Sequence, residues 1–130
     1  MIGLDTNILV RFLTLDDPVQ SARAAQIMDA LSEDEPGFVS AVVLAEMVWV
    51  LARTYRRDAA TIADIIQSLL GAESLRLEHQ DSVAFALSAS QRGNADFADA
   101  LIGAIAAEAR CTHTLTFDRS AARLPGFALA

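Results

Sequence analysis

Short apolar runs alternate with helix-period stretches along the chain, and this alternation constrains the fold more than any other feature of the sequence. Residues 2–5 read as a short buried strand because Ile2-Gly3-Leu4 is apolar up to Asp5. Residues 6–15 read as helix. Asp17-Pro18 starts a second, with Asp17 as N-cap and Pro18 in the first turn, and Ala24, Ile27, Met28 and Leu31 then recur at helical spacing. Glu35-Pro36-Gly37 is a turn, and residues 38–41 form a short strand. Residues 40–54 are apolar on every side except at Glu46, which predicts a central buried helix. Asp58 caps a helix running to about Gly71, and Leu75, Leu77 and His79 alternate with Arg76 and Glu78 as in a half-exposed strand. Asp81 caps a helix ending at Gly93, its expected C-cap, and Asn94 or Asp96 starts another that runs to about Arg110. Residues 112–117 read as strand, 119–124 as a short helix or turn, and 127–129 as a last strand. The pattern predicts an α/β fold with a parallel sheet covered by helices on both faces. At 130 residues the chain is expected to be a single domain spanning 1–130.

Four acids stand against apolar sequence. Asp5 closes the first strand, Glu46 interrupts the apolar helix, Asp99 opens Ala100-Leu101-Ile102-Gly103-Ala104-Ile105, and Asp118 follows Thr114-Leu115-Thr116-Phe117. A carboxylate buried without a partner costs several kcal/mol or gives up its charge, so four of them call for a shared reason, and a divalent cation is the simplest. Asp5 and Asp118 both lie at predicted strand carboxyl ends, where open parallel sheets gather their ligands. Hard cations prefer oxygen donors, and a bound metal both activates water and stabilises charge on a phosphoryl group. His79, His113 and a single Cys111 do not give zinc-site spacing.

Each acid also has a purely structural use. Asp5 and Asp96 can cap the helices they precede, Asp99 lies in a first turn where the helix dipole favours it, and Asp118 can be a turn residue. Glu46 has no basic residue one helical turn away to pair with. Asp16, Asp17, Glu33, Asp34 and Glu35 read as solvated surface. Trp49 is expected in the core or on a dimer surface rather than as a base-stacking platform. Arg53, Arg56 and Arg57 end the Glu46 helix, where they either suit the dipole or contact phosphate.

Composition narrows the chemistry. The formal net charge is −7, so a general basic surface for nucleic acid is absent and such a role needs a local patch, a partner or metal ions. All ten basic residues are arginines. Without lysine there is no P-loop, no Schiff base and no lysine-dependent aspartyl phosphate, which sets aside receiver domains and haloacid-dehalogenase-like phosphatases. No G-x-S-x-G, H-E-x-x-H or G-x-G-x-x-G pattern occurs. No apolar run approaches the length of a spanning helix, the opening residues lack a signal-peptide pattern, and one cysteine suits a reducing compartment, so a cytoplasmic protein with no membrane role is expected.

The motifs Ile2-Gly3-Leu4-Asp5-Thr6-Asn7, Val43-Leu44-Ala45-Glu46, Ala95-Asp96-Phe97-Ala98-Asp99-Ala100-Leu101-Ile102 and Thr114-Leu115-Thr116-Phe117-Asp118-Arg119 together resemble a PIN-domain protein, specifically a VapC-type toxin. They keep the family order over essentially the whole chain. The resemblance implies a three-layer α/β/α fold with a central parallel sheet, usually dimeric. It also implies a Mg2+- or Mn2+-dependent endoribonuclease that cuts RNA and is held inactive by a VapB-type antitoxin. The family's four acids fall on Asp5, Glu46, Asp99 and Asp118, with Asp96 as an accompanying acid and Asn7 and Thr116 as supporting polar positions that orient a carboxylate or a metal-bound water. On this reading Asp5, Asp96, Asp99 and Asp118 face the metal, Glu46 positions or deprotonates water, and Arg53, Arg56 or Arg57 contacts substrate or partner. Two rivals remain at this level. One is a non-catalytic acidic module for a basic peptide or structural cation; the other is a metal-free carboxylate pair of the glycosidase kind.

Overall fold

Every strand pair in the computed structural model, which describes residues 1–130, is parallel. The elements sort into two compact units, Met1–Glu78 and His79–Ala130.

The first unit runs β1 (Ile2–Gly3), α1 (Thr6–Thr14), α2 (Pro18–Ala30), β2 (Gly37–Val39), α3 (Ala41–Arg53), α4 (Ala59–Gly71) and β3 (Leu75–Leu77). Its strands form one ladder in the order β1-β2-β3, with Ile2 opposite Gly37 and Gly37 opposite Leu75. Gly37 is needed at this centre, because a Cβ there would meet the Leu31 and Leu4 side chains at 2.8 Å. Helix starts follow the local chemistry. Asp17 accepts from Gln20 N, Ser40 from Val43 N and Asp58 from Thr61 N, each satisfying an amide that the first turn leaves open. Leu9, Val39, Leu44, Met47, Leu51 and Ile66 are the fully buried large side chains here, each contributing about 1.5–3 kcal/mol of burial. A polar cluster joins the end of α1 to the segment after α3. Arg11 donates to Asp16 at 2.8 Å, and Tyr55 donates to the other Asp16 oxygen at 2.7 Å.

Two expectations change in this unit. The first strand is not buried: β1 is a two-residue edge strand, and Ile2 is 55% exposed. The helix around Glu46 is not buried all round either. Leu44, Met47 and Leu51 form its buried stripe, while Val42, Glu46, Trp49 and Arg53 form the opposite, exposed one. Near-uniform apolar composition hid which stripe packs, because a helix on a sheet needs only one face covered.

The second unit runs α5 (Gln80–Gly93), α6 (Phe97–Glu108), β4 (Thr114–Thr116), a 3-10 turn (Ala121–Arg123) and β5 (Phe127–Leu129). The α5 and α6 helices pack side by side, and β4 pairs with β5 as a separate two-stranded ladder. Gly103 lets β5 approach α6, since any side chain there would collide with the Phe127 ring. The start of α5 departs from expectation: His79, at φ 54, takes the N-cap position without a side-chain cap bond, and Asp81 lies inside the first turn. The left-handed residue that ends α5 is Asn94, at φ 48, and not Gly93. Asparagine tolerates that conformation almost as glycine does. Glu108 fastens α6 to α5, accepting from Ser82 Oγ at 2.6 Å and pairing with His79 Nδ1 at 3.0 Å.

Candidate active site

The first unit supplies Asp5 and Glu46. Asp5 lies two residues beyond β1, at the N-cap position of α1, with extended backbone. Unlike Asp17, Ser40 and Asp58, it makes no side-chain cap bond. Its neighbour Thr6 is buried, with Oγ1 lacking a hydrogen-bond partner, while Asp5 and Asn7 turn outward. The capping explanation of Asp5 therefore fails, and its carboxylate is open to a ligand. Helix α3 packs on α1 and presents Glu46 to solvent, with no ion pair or hydrogen bond to its carboxylate. Along the same stripe the Arg53 guanidinium lies over the Trp49 ring, 5.7 Å from its centroid. Arg53, Arg56 and Arg57 are exposed, and none is in an ion pair.

The second unit supplies Asp96, Asp99 and Asp118. Asp96 is the N-cap of α6, its Oδ1 accepting from the Asp99 amide at 3.0 Å, so one of its oxygens serves the helix. Asp99 follows in the first turn and is half-buried. Partial burial pushes its carboxyl above the usual aspartate range, and the nearby Asp96 and Asp118 carboxylates push it the same way. Asp118 lies two residues beyond β4 and mirrors Asp5 in its place relative to a strand. Its Oδ1 accepts from Ser120 N at 2.7 Å and Ala121 N at 3.3 Å, which opens the 3-10 turn. Thr116 Oγ1 accepts from the Asp118 amide at 3.0 Å, so this threonine holds the Asp118 backbone.

Burial was the wrong reason for singling out these acids. Asp5, Glu46 and Asp118 are exposed, because each sits at an element end or on an outer helix stripe. Nothing within the chain uses the Asp5 or Glu46 carboxylate, so both are free to act as donors. What distinguishes Asp99 is partial burial, reinforced by the like charges of Asp96 and Asp118, with no cation to offset them. No group of three His, Cys, Asp or Glu side chains stands close enough, as the side chains lie, to hold a metal ion. Within the second unit, Asp96, Asp99 and Asp118 offer only carboxylate oxygens, which suit a hard divalent cation, and an approaching cation would relieve the repulsion on Asp99. Two clefts, of about 320 Å³ beside Phe85 and Gly103 and about 440 Å³ beside Phe12 and Ile65, include none of these acids. Of the two places expected for Trp49, core or dimer surface, the core is excluded, since the ring is exposed. The charged residues Glu46 and Arg53, three and four positions either side of it, were the signal for an exposed stripe.

The PIN domain family model matches residues 2–126, so the chain belongs to the PIN-domain family and has its α/β fold. Members are in general metal-dependent nucleases acting on nucleic acid. No curated protein matches the chain. No helix is long and apolar enough to cross a membrane.

Proposed function

We propose that this chain is an endoribonuclease toxin of the VapC type, dependent on Mg2+ or Mn2+ and restrained by a VapB-type antitoxin, and that residues 1–130 act as one domain. Family membership supports a metal-dependent nuclease. The observation that favours the candidate acids is the cluster on the second unit, where Asp96 accepts from the Asp99 amide at 3.0 Å and no cation of the chain pairs with Asp96, Asp99 or Asp118. Asp5, Asp99 and Asp118 would hold the metal, with the free oxygen of Asp96 close to Asp99 as an outer partner. Once bound, the cation would lower the pKa of water and stabilise the charge that develops on a phosphodiester. Glu46, unengaged and solvent-facing, accepts the proton of the attacking water at its carboxylate. Asn7 orients a carboxylate or water, and Thr116 keeps Asp118 in place through its backbone. Attack of water at phosphorus with departure of the 3'-oxygen leaves a 5'-phosphate on the product. The arginines at 53, 56 and 57 supply the local positive charge that a chain of net charge −7 otherwise lacks. Homodimerisation and a cytoplasmic location belong to the same reading.

The test is cleavage of a labelled RNA pool by purified protein free of partner, in Mg2+ or Mn2+, in excess chelator, and with Asp99→Asn. Cutting that needs metal and is lost in the variant supports the proposal. Cutting indifferent to chelator would favour a metal-free carboxylate pair. Partner binding with no cutting in any divalent ion would favour the binding module.

A further inference from the structure

We infer that Trp49, with the Arg53 guanidinium over its ring, is a base-stacking subsite for single-stranded RNA on the outer stripe of α3. This deepens the nuclease reading above and rests on it. Trp49 is 57% exposed in a chain where most large apolar side chains of the same helix are covered, so burial does not explain it. The guanidinium beside the ring, 5.7 Å from its centroid, has no carboxylate partner and keeps its full charge for a phosphate or a base plane. Glu46 lies one turn earlier on the stripe, which puts the aromatic next to a residue assigned to the water. Three of the ten basic residues fall within positions 53–57, in a chain of net charge −7. An aromatic face, a guanidinium over it and unpaired cations are the elements from which sequence-tolerant single-strand sites are built. A protein partner seated on the stripe would need an apolar surface able to cover Val42 and Trp49 while leaving Glu46 and Arg53 solvated or newly paired. The unpaired guanidinium of Arg53, with Arg56 and Arg57 beyond it, fits a polyanion with flat apolar bases better, the strand's phosphates lying toward the arginines and away from the Glu46 carboxylate.

Trp49 is the only tryptophan, so its fluorescence reports this position alone. The probe is a short fluorescein-labelled oligouridylate, titrated in chelator so that no cleavage occurs, beside an abasic oligonucleotide of the same length. The oligouridylate should quench Trp49 emission and the abasic strand should not. Trp49→Ala should weaken binding, read by anisotropy, about ten-fold, as loss of one stacked base does, while Trp49→Phe retains most of it. Arg53→Gln should lower the slope of log Kd against log salt by about 0.7, one phosphate contact on a single strand. Equal quenching by the abasic strand, unchanged affinity in Trp49→Ala, or no binding of either strand overturns the inference. So does sedimentation showing that Trp49→Ala splits a dimer, because the stripe would then lie between copies. Failure of the nuclease reading looks different: oligouridylate binds and quenches, but no metal supports cutting.

Discussion

The acids of the first unit and those of the second occupy similar places in their chains and are treated in opposite ways. Asp5 and Asp118 each lie two residues past a strand, and Asp5 and Asp96 each stand at a helix N-cap position. In the second unit the backbone uses them: Asp96 caps α6 and Asp118 holds the 3-10 turn. In the first unit Asp5 caps nothing and Glu46 bonds to nothing. A carboxylate that serves a turn stabilises the fold through that turn and can still present its second oxygen. A carboxylate that serves nothing adds no stability of its own and is free to meet a ligand. Asp99 lies beyond both cases, because its surroundings oppose its charge.

Asp99→Asn should show the largest effect. Cleavage should fall about 10²–10⁴-fold, the range for loss of a group acting directly on the reaction. In the metal-free protein the same change should raise the midpoint of thermal unfolding at neutral pH, since it removes a charge that burial and two neighbours disfavour. A lowered midpoint would mean that the Asp99 carboxylate is structurally required and would break the contrast.

Asp96→Ala and Asp5→Ala should separate cleanly in denaturant unfolding. Loss of the Asp96 cap should cost about 1 kcal/mol, whereas Asp5→Ala should change stability by less than about 0.5 kcal/mol while removing cleavage. Comparable stability losses would show that Asp5 serves the fold after all.

The third comparison is by pH, and its signs are opposite for two acids. Asp58 is held below the usual aspartate range by the Thr61 backbone amide, then by the Thr61 side chain. Its stabilisation is present above the unfolded-state pKa and is lost as pH falls through the lowered folded value. Asp99 is raised, so the folded state holds its proton longer than the unfolded state, and stability declines as pH climbs from the usual aspartate value through the raised one. Carboxyl NMR titration should place Asp58 below and Asp99 above the ordinary aspartate midpoint, and Asp96→Asn should bring Asp99 part of the way down.

The smallest effect concerns Glu108, whose carboxyl is held low mainly by Ser82 and next by His79. Ser82→Ala should raise its titration midpoint without touching cleavage. Lost cleavage would tie this cluster to the acids and blur the contrast.

Much of this was legible along the chain. The caps at Asp17, Asp58 and Asp96, the helix over Ala41–Arg53 and the last strand at Phe127–Leu129 follow from short-range rules that act over a few residues. The four acids were legible as a family pattern. Local sequence could not tell whether Asp5 would cap α1, because Asp5 and Asp17 look alike until the side chain chooses between its own helix and solvent. Nor could it assign the packed stripe of α3, where apolar residues lie on nearly every side.

The sequence by itself determined the alternation of elements and the family, and it singled out the candidate acids, because periodicity, capping chemistry and motif spacing are properties of neighbouring residues. Only the tertiary structure decided that Asp5 and Glu46 are unengaged, that Asp96 and Asp118 crowd Asp99, and that Trp49 faces outward beneath Arg53. Those outcomes depend on which surfaces pack and which charges meet, and both are fixed by residues far apart in the chain.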